Sequence, residues 1–184
     1  MEDNQTEVAF SKNVIEMITV ANNFCSFIEK ADDSPKSEIF VYLEKVLPLL
    51  FLKGTLLPEV IVDDSEGNER FVTEEQWESI FNELRNKFDN DDNFWYLELN
   101  SPEPNEPLKA NLSENLSDIY QDLKDFVLLY QKPTRTAKQN AAYECKKLFE
   151  NNWGFKLINS LNAIHHILNK ANNKDDNFDE FDTI

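Results

Sequence analysis

Apolar residues recur every three or four positions through most of this chain. From residue 8 to residue 30 they form the stripe Val14, Met17/Ile18, Ala21, Phe24/Cys25 and Ile28, the spacing of a helix with one buried side. ADDSP (31–35) breaks that helix, and Ser34-Pro35 reads as a cap followed by a first-turn proline. The next stripe is Phe40, Leu43, Val46/Leu47 and Leu50; Pro48 inside it should kink or split the helix, and Lys53-Gly54 should end it. Thr73 and Gln76 make a capping box ahead of Trp77, Ile80/Phe81, Leu84 and Phe88. LSENLSDIYQDLKDF (112–126) then opens a helix carrying Leu116, Ile119, Tyr120, Leu123, Phe126, Val127 and Tyr130. Thr134 caps a helix through about Glu150, Asn151–Gly154 interrupts, and a last helix to about Lys170 carries Leu157, Ile158, Leu161, Ile164 and Leu168.

Three stretches break the helical period. Residues 59–72, EVIVDDSEGNERFV, hold two short β-prone runs around an acidic turn, which predicts a small hairpin or an ordered loop. Residues 89–107 carry prolines at 102, 104 and 107 and read as a long irregular connector with an aromatic centre. Residues 171–184, ANNKDDNFDEFDTI, are polar and acidic and are expected to be a disordered tail. The expected fold is therefore all-α: one domain over residues 1–170, a bundle of about six helices with no internal repeat. The helices at 113–131 and 155–170 should be central, with Leu116, Leu123, Phe126, Leu157, Leu161 and Leu168 nearly fully buried.

Composition narrows the function. The chain has 184 residues and a net charge of −17, enough length for a sizeable core without staples. Only three glycines argue against a glycine-rich phosphate loop or a many-turned sandwich. The charge disfavours nucleic acid and anionic membrane as direct partners, since both attract basic patches. It is unevenly spread: residues 132–170 hold seven Lys/Arg against two acids. No signal-like start and no long apolar run is present, so a cytoplasmic protein with Cys25 and Cys145 reduced is expected.

The strongest candidate for chemistry is the acidic series Glu114, Asp118, Asp122 and Asp125. At roughly 100° per residue these acids share an arc of about 80°, some 145° from the apolar stripe. With the apolar side inward, they form a solvated acidic face that a partner can read. An inward metal ladder would need Glu-x-x-His pairs, and neither His165 nor His166 has an acid three residues earlier. Glu75-x-x-Glu78 followed by Asp89-x-x-Asp92 loosely echoes the magnesium motifs of all-α nucleotide pyrophosphohydrolases, but the first pair points away from the Trp77 stripe. Sequences starting at Asp63, Asp89 and Asp175 miss the glycine at position 6 of a calcium loop, and two lone cysteines make no zinc site. His165 falls on the apolar arc of the last helix, which predicts a hydrogen-bonded core histidine. Trp153 beside Gly154 marks a close approach of backbone, or the wall of a cleft.

The block 112–126 resembles the "sLsddLaDIYrDLk" pattern of an uncharacterised bacterial family of small, acidic, all-helical proteins. NNWGFKLINSLNAIHHIL (151–168) is similar to that family's "hWGrHlvdALraLH" block, and the stretch around Leu43–Pro58 to its early helical pair. The matching positions are Leu112, Ser113, Leu116, Asp118, Ile119, Tyr120, Asp122, Leu123, Trp153, Gly154, Leu161 and His165. Asn152 and Lys156 stand where the family block shows histidines, which weakens any histidine-based chemistry. The resemblance implies a helical bundle and assigns no activity.

Two functions remain. One is a non-catalytic interaction or regulatory protein that offers an acidic surface, centred on Glu114, Asp118, Asp122 and Asp125, to a basic protein partner. The other is a small-molecule-binding protein or enzyme with a cleft near Trp153 and His165, joined by Tyr120 and Asp118. No catalytic residue, metal ligand or cofactor is assigned from the sequence.

Overall fold

A computed structural model of the chain describes residues 8–62, 70–98 and 106–175. Among these described residues, six α-helices and one hairpin run in the order α1 (Lys12–Ile28), α2 (Lys36–Thr55), α3 (Glu74–Phe88), β1 (Asn93–Leu97), β2 (Pro107–Asn111), α4 (Leu112–Gln131), α5 (Arg135–Leu148) and α6 (Gly154–Asp175). The all-α bundle read from the periodicity is the fold observed, with a small antiparallel sheet added.

The helix α4 is the hub. It packs against α1, α3, α5, α6 and the end of β2, while α2 packs on α1 and α6. The expected stripe of α1 is buried from Val14 to Ile28 except at Ile18, which is half-buried. On α4 burial goes well beyond one stripe: fourteen residues are buried, including Ser113, Asn115, Ser117, Asp122 and Asp125. Leu116, Leu123, Phe126 and Leu157 lie in the core. Leu161 and Leu168 are only half-buried; Leu161 lines a shallow groove beside Glu44 and Pro48 of α2.

Several local expectations change. The first strand, 93–97, lies inside the stretch read as irregular and the second, 107–111, starts on its last residue; they pair from Asn93↔Asn111 to Leu97↔Pro107. Phe94 and Tyr96 turn inward while Asn93, Trp95 and Leu97 turn outward, the alternation of a half-covered strand. Pro107 sits at the start of β2, where a missing N–H is tolerated. At 59–72, residues 59–62 and 70–72 form no strand, and 63–69 lie outside the described residues. The acidic tail was expected from 171, yet α6 continues to Asp175; residues 176–184 lie outside the described residues. Pro48 does not split α2, which runs unbroken past it.

Asn151–Gly154 does not break the chain into a loop either. Residues Phe149–Trp153 form a π turn between α5 and α6, with the Gly154 N–H donating to the Phe149 carbonyl. The widened turn inserts an extra residue and re-aims the helix after it, sending Trp153 wholly inside. Both nearby glycines serve this junction. A Cβ on Gly54 would lie 2.6 Å from the Phe149 ring and 2.9 Å from Trp153, and one on Gly154 would lie 2.3 Å from the Phe149 carbonyl oxygen. Gly54 is therefore a packing glycine, and the helix ends at Thr55, one residue past the stop expected at Lys53-Gly54.

Gly154→Ala decides between two effects of opposite sign. Helix propensity alone favours alanine by about 1 kcal/mol, whereas the clash with a backbone oxygen should cost about 1–3 kcal/mol. Urea unfolding should show net destabilisation; a stabilised variant would mean the π turn relaxes without cost.

Candidate functional site

The N-terminus of α4 is held from a distance. Asn111, at the cap position, makes no side-chain cap bond. Asp92, just before β1, takes over: its carbonyl accepts the Leu112 N–H at 2.8 Å, and its carboxylate accepts the Ser113 N–H at 2.7 Å and the Ser113 hydroxyl at 2.9 Å. A carboxylate at that helix end satisfies free N–H groups and meets the positive end of the helix dipole. Asp92 is thus committed to capping, which removes the second half of the Glu75/Glu78–Asp89/Asp92 echo.

One to three turns further along α4, three of the four acids meet donors from the rest of the chain. The Trp77 indole N–H donates to Asp118 Oδ1 at 2.9 Å, and Lys156 pairs with Asp118 Oδ2. Asn152 Nδ2 donates to Asp122 Oδ2 at 2.7 Å. Arg70 Nη1 bridges Asp122 Oδ1 and Asp125 Oδ2, both at 3.1 Å. Asp125 Oδ1 accepts the backbone N–H groups of Phe71 at 2.8 Å and Val72 at 2.9 Å. This cluster fastens the segment entering α3 on one side and the π turn with the start of α6 on the other.

The solvated acidic face expected from the sequence is therefore corrected. Asp122 is 5 % and Asp125 7 % exposed, Asp118 is partly buried, and only Glu114 is exposed. The angular reading was sound, since the acids do share one side opposite the apolar stripe. That side faces other helices instead of water, because α4 has neighbours all round. The would-be second strand at 70–72 is explained by the same contact: its N–H groups are taken by a carboxylate instead of a partner strand.

Electrostatics in the cluster are asymmetric. Burial pushes the Asp122 carboxyl above the ordinary aspartate range, Arg70 and Asn152 pull it part of the way back, and the nearby Asp118 raises it further. Arg70 keeps 55 % of its side chain in water, and its bonds to Asp122 and Asp125 outweigh its own burial and raise its pKa. The two cysteines are poor nucleophiles: burial raises both thiols, helped at Cys145 by the field of Asp122. Among the described residues, no group of three His, Cys, Asp or Glu side chains is placed to hold a metal ion.

The other candidate residues lie apart from this cluster and from each other. The Tyr120 hydroxyl donates to Glu29 of α1 at 2.9 Å, on another side of α4, where Lys124 reaches the same carboxylate. Trp153 is fully buried, its indole N–H donating to the Cys145 carbonyl at 3.3 Å. His165 is not a core histidine: its side chain is 63 % exposed and stands 3.0 Å from Glu44. The inward side of α6 is the narrower arc of Leu157, Ser160, Ala163 and Ile164, with Ile158 exposed, and that leaves His165 on the rim of the α2–α6 groove. Sequence reasoning missed Arg70, whose partners are 52 and 55 positions away. It placed Trp77 in an apolar stripe, although an indole N–H needs an acceptor when it is covered. The one signal was at Asn152 and Lys156, the two departures from the family block, which contact Asp122 and Asp118.

An all-helical domain closed around a buried helix, with that helix's carboxylates held by its own chain, is the class of protein this arrangement defines. Residues 8–170 match the family described as a domain of unknown function (DUF5063), and the chain belongs to that family. No curated protein matches it. It is similar to the crystal structure of protein BF1032 from Bacteroides fragilis, at 38% identity over 87% of this chain and 94% of that one, with a TM-score of 0.76.

Two measurements test the cluster. Asp125→Ala leaves two covered N–H groups and a guanidinium without their acceptor and should cost about 2–4 kcal/mol. Glu114→Ala, on the exposed end of the same series, should stay within about 0.5 kcal/mol. Equal denaturant midpoints would show that the acids are not a fastening. Asp122 also sets a pH dependence. Its folded carboxyl holds a proton more tightly than the unfolded one, so its contribution is most favourable at low pH and is lost as pH rises through the raised folded value. Asp122→Asn removes that loss. Its stability relative to the parent should improve as pH climbs from about 4 to about 7; a difference independent of pH would show that burial does not dominate at this carboxyl.

Proposed function

We propose that this chain is a non-catalytic interaction protein that offers acidic surface to a basic protein partner. The observation that supports this reading is the closed state of the carboxylate cluster: every described oxygen of Asp118, Asp122 and Asp125 is engaged by the chain's own donors. Neither a histidine nor an available thiol joins it. Such a cluster locks elements together, and contact with other molecules falls to the surface. That surface belongs to a chain of net charge −17, with Glu74, Glu75 and Glu78 exposed on α3 and Glu114 exposed on the adjoining α4. These four glutamates take the role that spacing alone suggested for Asp118, Asp122 and Asp125.

The residues named for a cleft stand apart from one another. Trp153 is sealed inside, Tyr120 faces α1, and His165 stands on an outer groove of about 460 Å³ without either of them.

The test is capture from a lysate of the native host by the parent chain and by a variant with Glu74, Glu75, Glu78 and Glu114 all changed to Gln. A genuine partner should be basic, should be lost from the variant, and should elute as salt rises from about 50 to about 500 mM. The melting temperature should hardly move, as exposed charges contribute little to stability. The same proteins retained undiminished by the variant would overturn this assignment of the surface.

A further inference from the structure

Between the hairpin and the second half of α6 lies a pocket that neither the carboxylate cluster nor the acidic surface uses. It measures about 630 Å³, inside the range of roughly 300–1,000 Å³ of small-molecule sites. Phe94 of β1 and Ala163 and Ile167 of α6 give it an apolar part, and Trp95 stands beside them. Trp95 is 66 % exposed, although tryptophan is highly covered on average. An indole left open at the side of a concavity offers a platform to another flat ring. Asn162, His166 and Lys170 line the same pocket; four residues apart, they share an arc of about 80° on α6. Among the described residues, none of these three side chains has a hydrogen bond or an ion pair. The opposite rim is already engaged. Asp91 pairs with Lys36 at 2.6 Å, Asn90 donates to Asp89 at 2.9 Å, and Asn93 accepts from Asn111 at 3.2 Å.

We propose that this pocket takes a small molecule with a flat aromatic ring system and one anionic group, the ring against Trp95 and the anion at His166 and Lys170. The unengaged groups select that class. The lysine and aspartate of the lining are Asp91, neutralised by Lys36, and Lys170, which has no counter-ion. An ammonium donates and never accepts, and the amide of Asn162 and the ring of His166 can each donate beside it. A cationic ligand would meet Lys170 uncompensated, and a neutral one would forgo a charge-assisted bond. Next to the lining, Asp89 holds the Asn90 amide, Asp92 is turned to Ser113, and Lys109 is the cross-strand partner of Trp95. The net charge of −17 is spread over the whole chain. Screening over about 8 Å at physiological ionic strength mutes its repulsion of an anion, so the short contacts decide. From Asn162 to Lys170 the helix rises about 12 Å, the reach of a ring with a short acidic arm. Aromatic carboxylates and nucleoside monophosphates share this chemistry.

Proton–nitrogen correlation NMR of the full chain tests this, with the Trp95 indole N–H identified by its loss in Trp95→Phe. The probes are indoleacetate, its neutral amide indoleacetamide, the cationic tryptamine, and AMP. Indoleacetate or AMP should shift the Trp95 signal and saturate below about 5 mM. A response to indoleacetate alone marks a carboxylate site, and a tighter response to AMP marks a phosphate site. Indoleacetamide should bind at least about tenfold more weakly than indoleacetate, and tryptamine more weakly still. Trp95→Ala should abolish binding of every probe. Lys170→Gln should bring indoleacetate down to the level of indoleacetamide and leave the amide unchanged, a split that loss of structure would not produce. Both positions are exposed, so circular dichroism melts should show the variants folded. Lys147→Gln, at an exposed position of α5, removes the same charge away from the pocket and should change nothing. The proposal is overturned if neither anion shifts Trp95 by about 5 mM. Indoleacetamide or tryptamine binding as tightly as indoleacetate, or binding that survives Trp95→Ala or is indifferent to Lys170→Gln, overturns it equally.

Discussion

A helix with no solvent side is the constraint on which this fold rests. Four helices and the end of the hairpin surround α4, so its polar stripe is removed from water along with its apolar one. A carboxylate in that position is costly unless charge and hydrogen bonds meet it directly. The chain supplies both. Asp125 accepts two backbone N–H groups and an arginine, Asp122 an arginine and an amide, and Asp118 an indole and a lysine. The donors arrive from the segment entering α3, from α3 itself, from the π turn and from α6, so the stripe works as a fastening among α3, α4 and α6.

The same demand explains features away from the cluster. Asp92 closes the N-terminus of α4 from before the hairpin, which ties the sheet to the bundle. The π turn at Phe149–Trp153 brings Asn152 to Asp122 and Trp153 into the core. That turn fits only because Gly54 and Gly154 leave room for Phe149. An ionic interior of this kind adds less net stability than an apolar one of similar volume, but it penalises wrong arrangements heavily, since any misplaced element strands a charge.

Interior and surface thus divide the work. The chemically rich side chains are spent on holding the bundle, and no helix among the described residues is long and apolar enough to cross a membrane. What faces outward includes the glutamates of α3 and α4 on one side and exposed apolar residues of α2 and α6 on another.

Much of the fold could be read from the sequence. Helical periodicity located α1 through α6, the Thr73–Gln76 capping box marked the start of α3, and Leu116, Leu123 and Phe126 were placed correctly in the core. These are local properties: residues three and four apart share a side whatever the rest of the chain does. The blocks at 112–126 and 151–168 likewise pointed to the family. Even the shared side of the acids on α4 came from spacing. What spacing could not decide was whether that side met water. That depends on Arg70, Trp77, Asn152 and Lys156, which approach from 30 to 55 positions away, and on how many helices surround α4. A stripe of carboxylates looks the same in sequence whether it is solvated or clasped. Only the packing of distant elements, each bringing a donor, turned it inward, and only that packing decided that Leu52 of α2 and Phe155 of α6 are exposed.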